Sequence, residues 1–205
     1  MSMEKDSASK SREDEKDARR KVIVDAAEME FATKPYSSVN MRDIARRAGI
    51  SPALIYRYFP DQQSLLFEAF LRGVDTIIEG MYEKIDVNSD EAIRQVASEF
   101  VRFFTVNDQY FRMMVNFFLE ATIDNEFFQK LIILERNILD FFERILKKLN
   151  PSADSRLYSH VLFSSLIGIV MTFRNNPYKS ADEIMKHRQR IADILAELFL
   201  CNAPR

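Results

Sequence analysis

Apolar residues recur along this chain at the spacing of amphipathic helices. From about Lys16 to Thr33 they return every three or four positions, which places Ile23, Ala27 and Phe31 on one line, with Val22, Ala26 and Met29 on a neighbouring line. Beyond Asn88 no β-alternation of useful length appears, and the same periodicity predicts helices at about 90–106, 108–121, 124–149, 153–175 and 180–200. With the shorter segments between these regions, the pattern predicts an all-α fold of about nine helices.

Two short helices with strong end signals lie between residues 35 and 60. Asn40 can cap the first, and Gly49 follows it at a position where a left-handed backbone is favoured. Ser51-Pro52 then supplies an N-cap and a proline at the first helical position. Phe59-Pro60 ends the second helix, and a long helix is predicted over about 61–85.

These helices divide into two predicted domains that follow a tail. Residues 1–14 are rich in Ser, Lys, Asp and Glu and have almost nothing to bury, so we predict a disordered tail. Residues 15–60 form a small unit of three helices, and residues 61–205 form a larger helical bundle.

Composition excludes several classes of protein. The 205 residues include 4 Gly and 6 Pro, too few for the tight turns of barrels and sandwiches. Cys201 is the single cysteine, so no internal disulfide can form, and one Cys with two His cannot supply a structural zinc site. No apolar run is long enough to span a bilayer, and because the N-terminus is charged from Glu4 onward we expect no secretion signal. We expect a cytoplasmic protein with no cofactor, metal or membrane partner.

Charge is distributed unevenly. The formal net charge is −2, yet the stretch from Arg19 to Pro60 contains eight basic and four acidic residues. This local surplus is modest, and it is equally typical of ordinary solvated helix faces. Charge alone therefore does not decide whether the chain binds nucleic acid.

A helix over 40–48, a turn at Gly49-Ile50 and a second helix over 51–59 have the arrangement of a helix-turn-helix. In this motif, one face of the second helix enters the major groove of DNA while the other packs on the protein. Ile55 and Phe59 are four residues apart and are expected to point inward with Ile50.

The opposite side of the second helix then carries the candidate DNA contacts. The N-terminus at Ser51 and Pro52 can approach a phosphate, and the Tyr56 hydroxyl and Arg57 guanidinium can donate hydrogen bonds. Ala53 can contact a thymine methyl group. This surface therefore predicts binding to double-stranded DNA.

The residues of this region closely resemble the TetR/AcrR family of bacterial regulators. The resemblance rests on Phe31, the segment VNMRDIARRAGIS at 39–51, the segment IYRYF at 55–59 and Leu65-Leu66. It covers about residues 18–70 directly. Beyond them the chain is similar to the family in the number and placement of helices. The resemblance implies a DNA-binding regulator with a C-terminal bundle for ligand binding and dimerisation.

The resemblance also assigns individual positions. Tyr56 matches a phosphate-contacting tyrosine, Arg42 matches a position near the DNA backbone, and Asn40 caps the first motif helix at the edge of the groove. Ala53 and Leu54 stand where the family often has a glycine and a threonine, so Leu54 lacks a usual hydroxyl contact. Gln62 replaces a common lysine. The predicted DNA-binding residues are Asn40, Arg42, Ser51, Pro52, Ala53, Tyr56, Arg57 and Gln62.

The C-terminal bundle is rich in Phe and Met, which can form either a plain helical core or a cavity. Adjacent pairs such as Phe103-Phe104 cannot both face one narrow seam, and Met suits an irregular pocket. Because family members bind ligands in this bundle, the resemblance implies a hydrophobic small-molecule effector. The candidate pocket residues are Phe103, Phe104, Phe111, Met114, Phe117, Phe118, Phe128 and Phe163.

The helix over 153–175 has a stripe of small side chains that lets another helix approach closely. That helix could belong to the same chain or to a second copy. The family dimerises through its last two long helices, so the resemblance implies a homodimer. The candidate interface residues are Val161, Ser165, Gly168, Thr172, Ile191, Leu195 and Leu198.

Taken together, these features predict a homodimeric, ligand-responsive transcriptional regulator, expected to be a repressor that a hydrophobic effector releases from a palindromic operator. The alternative is a DNA-binding dimer whose C-terminal bundle is a protein-interaction module without an effector. No nucleophile elbow, Gly-rich phosphate loop or metal cluster can be drawn from the sequence, so an enzyme is not expected.

Overall fold

A computed structural model of the chain describes residues 2–119, 125–151, 154–172, 174 and 176–201. These residues form nine α-helices, a short 3₁₀ helix (Tyr36–Ser38) and no β-strand, which confirms the all-α fold class. The helices are α1 (Ser2–Thr33), α2 (Met41–Arg47), α3 (Pro52–Ile55), α4 (Gln62–Lys84), α5 (Ala92–Val106), α6 (Asp108–Leu119), α7 (Asn125–Leu149), α8 (Ser155–Thr172) and α9 (Ala181–Cys201).

The residues predicted to begin and end the short helices have the expected cap hydrogen bonds and backbone conformation. Asn40 accepts a hydrogen bond from the Asp43 N–H at 2.9 Å, and Ser51 caps α3 in the same way. Gly49 has a backbone φ of +67°, the left-handed conformation that glycine adopts without steric cost. Asp61 accepts a hydrogen bond from the Ser64 N–H at the start of α4.

Helix α1 differs from the sequence expectation at its beginning and along its surface. It starts at Ser2, so residues 2–14 are helical where the composition predicts a disordered tail. Glu, Lys, Arg and Ala favour helix, and such residues can extend α1 without a core to pack on. Of the two apolar lines, Ile23, Ala27 and Phe31 are buried, whereas Val22 and Met29 are exposed.

The chain forms two compact units. The first contains residues 1–74 and 109–121, and the second contains residues 75–108 and 122–205. The boundary between these compact units falls within α4, and α6 joins the first unit, while the predicted functional division at residue 60 stays a prediction. Close packing explains the placement of α6: Tyr110 lies so near Gly73 that a Cβ there would be 2.1 Å from the tyrosine ring.

The first unit has a core that draws on all of its helices. Ile44 and Ala45 of α2 are buried, as are Ile55 in α3 and Phe59 just after it. These side chains turn the inner faces of the two short helices toward apolar residues of α1, α4 and α6, which include Ile23, Ala27, Phe31, Leu65, Leu66, Phe70, Phe111 and Met113. Burial of this kind orients the outer faces of α2 and α3.

The second unit is a bundle of longer helices. Helix α5 packs most extensively on α9, and α7 packs on α8. Ala192 and Ala196 of α9 are fully buried four residues apart, and their small side chains allow close approach of a neighbouring helix. No helix within the described ranges has both the length and the apolar character needed to cross a membrane.

Candidate DNA-binding surface

The outer face of α2, α3 and the turn that follows α3 presents most of the residues predicted to contact DNA. Arg42, Ala53 and Arg57 are exposed, and Tyr56 retains 54% of its accessible surface. Ile55 and Phe59 point the other way and are buried. The predicted division of the second helix into inner and outer faces is therefore present, while the DNA contacts themselves remain a prediction.

Helix α3 is shorter than the predicted range of 51–59. Its regular part ends at Ile55, after which the Arg57 and Tyr58 N–H groups donate to carbonyls three residues earlier. Such bonds tighten the last turn of a helix. The N-terminus also has fewer available donors than expected, because Pro52 has no N–H and the Leu54 N–H donates to Ser51 Oγ.

Two predicted DNA contacts make bonds within the protein. Besides capping α2, Asn40 donates from Nδ2 to Asp43 at 2.9 Å. Gln62 donates from Nε2 to the Tyr36 carbonyl at 3.1 Å, which connects the start of α4 to the segment before α2. Both residues therefore support the position of the motif, and either would have to rearrange to donate to a phosphate.

A carboxylate that the sequence reasoning missed joins α1 to α2. Glu30 is 3% exposed, and its two oxygens lie 2.6 Å from Lys34 Nζ and 2.6 Å from Arg47 Nε. The hydrogen bond from Lys34, together with that from Arg47, lowers the pKa of Glu30 below its ordinary value. Lys34 also pairs with Asp43 at 3.4 Å. This cluster fixes the first motif helix on the long α1 helix.

Arg20 fixes the other end of the motif, the turn after α3, to the long helices. It donates to the Tyr58 carbonyl at 3.1 Å, and its guanidinium lies 4.4 Å from the centre of the Phe59 ring. Its Nε donates to Glu68 of α4 at 2.7 Å. The turn after α3 is therefore attached to both α1 and α4, which fixes the backbone from which the Tyr56 and Arg57 side chains extend.

The ion pairs separate the basic side chains of this segment into those with an acidic partner and those without one. Acidic partners bind Arg20, Lys34, Arg46 and Arg47. Among the residues that the structure describes, no carboxylate pairs with the exposed side chains of Arg19, Lys21, Arg42 and Arg57. The positive surplus of this segment is therefore carried by four exposed side chains, of which Arg42 lies in α2 and Arg57 directly after α3. Exposed cations of this kind favour phosphate binding.

The residues that position the motif carried no recognisable signal in the sequence. Glu30 and Arg47 are 17 residues apart, and Arg20 and Glu68 are 48 apart. Neither separation along the sequence corresponds to a contact within one helix, and each residue alone resembles an ordinary surface charge. The folded arrangement was needed to bring these pairs together.

The predicted pocket residues separate into groups. In the second unit, the rings of Phe103 and Phe104 are packed edge-to-face with their centroids 5.3 Å apart. The centroid of the Phe100 ring lies 4.8 Å from that of Phe104 and 6.1 Å from that of Phe163. Phe128 is half exposed. Phe111 and Met114 are buried in the first unit, and the side chains of Phe117 and Phe118 lie outside the described residues.

The candidate interface residues lie on a partly exposed face of α8 and α9. Val161 and Leu198 are exposed by 50% and 57%, and Ser165, Gly168, Ile191 and Leu195 are partly exposed. Exposed apolar residues that the prediction omitted, Leu157 and Ile194, extend the apolar surface of the same two helices. Leu162 and Leu166 are fully buried, as the opposite side of α8 was expected to be.

Comparison with known proteins supports the sequence assignment. A family model described as bacterial regulatory proteins of the tetR family matches residues 23–69. The transcriptional activator FasR of Mycolicibacterium smegmatis is 27% identical over 101 residues, 48% of this chain and 46% of FasR. The transcriptional repressor KstR of the same organism is 36% identical over 74 residues, 36% of this chain and 32% of KstR. The chain thus matches less than half the length of either relative.

Solved structures match over nearly the whole chain. FadR of Bacillus subtilis, solved in complex with stearoyl-CoA, has a TM-score of 0.71 at 21% identity, with coverage of 90% of this chain and 98% of FadR. The TetR family regulator PfmR of Thermus thermophilus has a TM-score of 0.65 at 20% identity, with 90% and 96% coverage. Residues 23–69 thus match the tetR family of bacterial regulatory proteins in sequence, and the described chain has the fold of solved TetR family regulators.

Proposed function

We propose that the chain is a ligand-responsive repressor that binds a palindromic operator as a homodimer and is released by a hydrophobic small molecule. The observation that supports this most strongly is the exposed face bearing Arg42, Ala53, Tyr56 and Arg57 on a motif secured by Glu30 and Arg20. Arg42, Tyr56 and Arg57 are assigned to phosphates and Ala53 to a base edge.

The apolar face of α8 and α9 supports the homodimer. Leu157, Val161, Ile194 and Leu198 are all more than one-third exposed, although they are large apolar side chains. A two-fold symmetric pairing of this face would cover them. Two motifs related by that symmetry read half-sites separated by about 34–36 Å or a multiple of it, which requires a palindromic operator.

The aromatic cluster around Phe100 supports a hydrophobic effector in the second unit. FadR, whose fold is similar, was solved with a fatty acyl thioester, and this chain offers apolar side chains at Phe103, Phe104 and Phe163. We assign long-chain apolar molecules to this region. An effector that prefers the DNA-free conformation by about 1–3 kcal/mol is sufficient to release the operator.

Within the first unit, helix α6 is attached to the helix that supports the motif. Arg112 donates to the Phe31 carbonyl at 3.2 Å and to the Ala32 carbonyl at 2.5 Å, at the C-terminal end of α1. Its guanidinium therefore interacts with the partial negative charge of that helix end. A shift of α6 would pull on α1, from which Glu30 extends to α2.

Selection of bound DNA from a random duplex pool, followed by fluorescence polarisation with the recovered duplex, tests the proposal. We expect a palindrome and a stoichiometry of one dimer per duplex. Recovery of a single half-site, or retention that salt abolishes and sequence does not affect, would contradict it. Expression of a reporter behind the recovered operator then separates repression from activation.

The alternative, in which the bundle is a protein-interaction module, makes a different prediction. Under that hypothesis no apolar small molecule changes operator affinity. A titration of the operator complex with fatty acids and their coenzyme A thioesters decides between the two, because release of DNA requires an effector.

A further inference from the structure

One arginine of the second unit is buried among neutral groups. Arg188 of α9 is 4% exposed, and it donates to Thr105 Oγ1 of α5 at 3.0 Å and to the Val170 carbonyl of α8. Its Nε has no hydrogen-bond partner. Among the residues that the structure describes, no carboxylate forms an ion pair with Arg188.

The surrounding charges compensate this cation only in part. Asp108 interacts with it electrostatically, but Asp108 already pairs with Arg174 at 2.7 Å, and Arg174 opposes the positive charge of Arg188. Burial lowers the pKa of Arg188, although arginine remains protonated at neutral pH. Removal of a guanidinium from water is unfavourable, and two hydrogen bonds to neutral oxygens compensate for only part of that cost.

Arg188 also bonds to the two helices that carry the aromatic cluster. Thr105 follows Phe104 directly on α5, and Val170 lies two turns beyond Phe163 on α8. Phe100 joins these helices through its contact with Phe163 at 6.1 Å. An apolar cluster and a buried cation thus lie on the same pair of helices, an arrangement that matches a molecule with an apolar body and an anionic end.

We infer that Arg188 receives the carboxylate of a hydrophobic carboxylic acid whose apolar part packs on the Phe100, Phe104 and Phe163 side chains. This inference rests on the proposed effector function of the second unit. A carboxylate is compact enough for an enclosed position and accepts two hydrogen bonds from the guanidinium fork. The free Nε of Arg188 supplies one donor.

Calorimetric titration of the full-length protein with dodecanoate and with dodecanol tests the inference on the wild type, without any substitution. Both probes have the same apolar chain, and they differ in charge at one end. We expect the acid to bind about tenfold more tightly or better, which is the gain for a charge-assisted hydrogen bond. Equal affinity would overturn the inference and leave the effector proposal standing. Failure of both probes to bind would overturn both.

Substitution then tests whether Arg188 is the group responsible. In Arg188→Gln we expect the preference for the acid to disappear while dodecanol affinity stays the same, and Arg188→Lys should keep part of the preference because it keeps the charge. The matched control is Arg190→Gln, an exposed arginine two positions along α9, which should change neither affinity.

Two other outcomes would overturn the assignment. If Arg188 only stabilises the ends of α5 and α8, Arg188→Gln lowers the melting temperature and changes both affinities by the same factor. If dodecanoyl-coenzyme A depends on Arg188 but dodecanoate does not, the guanidinium recognises the coenzyme phosphates instead of a carboxylate.

Discussion

The first unit secures helices of seven and four residues with ion pairs between distant parts of the chain, whereas the second unit joins helices of 15 to 25 residues largely through apolar packing. Helices as short as α2 and α3 bury few side chains and are not stable alone. Glu30 and Arg20 supply the missing orientation through charged hydrogen bonds. Each long helix of the second unit buries several apolar side chains, so its long-range ion pairs, such as Arg94 with Glu197 and Arg174 with Asp108, add to an apolar bundle instead of orienting a short helix.

This difference has a consequence for function. Ion pairs have directional geometry and fix the face that α3 presents, which suits a surface that must match bases and phosphates. Apolar packing is less directional and tolerates repacking, which suits a region that accepts a hydrophobic molecule. Substitutions in the two units should therefore differ in their effects on stability and on DNA binding.

Apolar truncation should destabilise both units to a similar extent. Phe59→Ala in the first unit and Phe142→Ala in the second each remove a fully buried ring, which costs about 3–5 kcal/mol in the free energy of unfolding. Urea denaturation measures both values. Tyr178→Ala, at a side chain that is 93% exposed, serves as the control and should change little. A much smaller loss for Phe59→Ala would mean that charged contacts alone secure α3.

Loss of a charged contact should affect the first unit more than the second. Glu30→Gln leaves Lys34 and Arg47 without their buried partner and should lower the free energy of unfolding by about 1–3 kcal/mol. The loss is smaller than for a fully buried ion pair because the Lys34 and Arg47 side chains are partly exposed. Operator affinity should fall with it. The control is Glu99→Gln, whose partner Arg102 is exposed and follows three residues later on the same helix. Equal losses for the two variants would remove the distinction between the units.

Acid should weaken the same contact. The folded-state pKa of Glu30 is lowered, so its stabilisation is complete above its ordinary value of 4.5 and is lost as the pH falls through the folded-state value. Unfolding measured from pH 7 to pH 3 should therefore show a smaller loss of stability in Glu30→Gln than in the wild type.

Glu143 in the second unit is the matched comparison for this pH series. A hydrogen bond from the exposed Lys147 lowers the pKa of Glu143, but the Glu143 side chain is 20% exposed, against 4% for Glu30. Glu143→Gln should change the acid dependence less than Glu30→Gln. The opposite ranking would show that the buried position of Glu30 is not what matters.

The turn of the motif should respond to a single methyl group. Gly49→Ala places a Cβ on a residue with φ of +67° and should cost about 1–2 kcal/mol, although nothing lies within 4 Å of that Cβ. Gly80→Ala, in the interior of α4 with equally open space, should be neutral or stabilising by up to about 1 kcal/mol. Thermal denaturation of the two variants separates backbone strain from lack of space.

The smallest effect on stability is expected at the DNA-facing surface. Arg42→Ala should change the free energy of unfolding by less than about 0.5 kcal/mol. It should weaken binding to all DNA sequences alike, and the slope of log binding constant against log salt concentration should fall by the equivalent of about one phosphate contact. Arg46→Ala is the control, because Arg46 is an equally exposed arginine of α2 that already pairs with Asp43. Equal salt slopes for Arg42→Ala and the wild type would contradict the phosphate assignment of Arg42.

The helix-turn-helix motif shows which structural features are determined by neighbouring residues in the sequence. The positions of the short helices follow from Asn40, Gly49 and Ser51-Pro52, because caps and left-handed turns depend on neighbouring residues only. The inner face of α3 follows from the spacing of Ile55 and Phe59. The length of α3 does not, because its last turn tightens where Arg20 binds the Tyr58 carbonyl.

Local patterns in the sequence were sufficient for the all-α class, the approximate placement of the helices in the described residues, the exposed Ala53, Tyr56 and Arg57, and the resemblance to the TetR family. The folded chain was needed to show that α6 joins the first unit, that Glu30 and Arg20 secure the motif, and that Arg188 is buried beside neutral groups. The physical reason is the separation along the sequence over which each kind of interaction acts. Periodicity and capping act within a few residues, whereas ion pairs and burial depend on which distant segments the folded chain brings together.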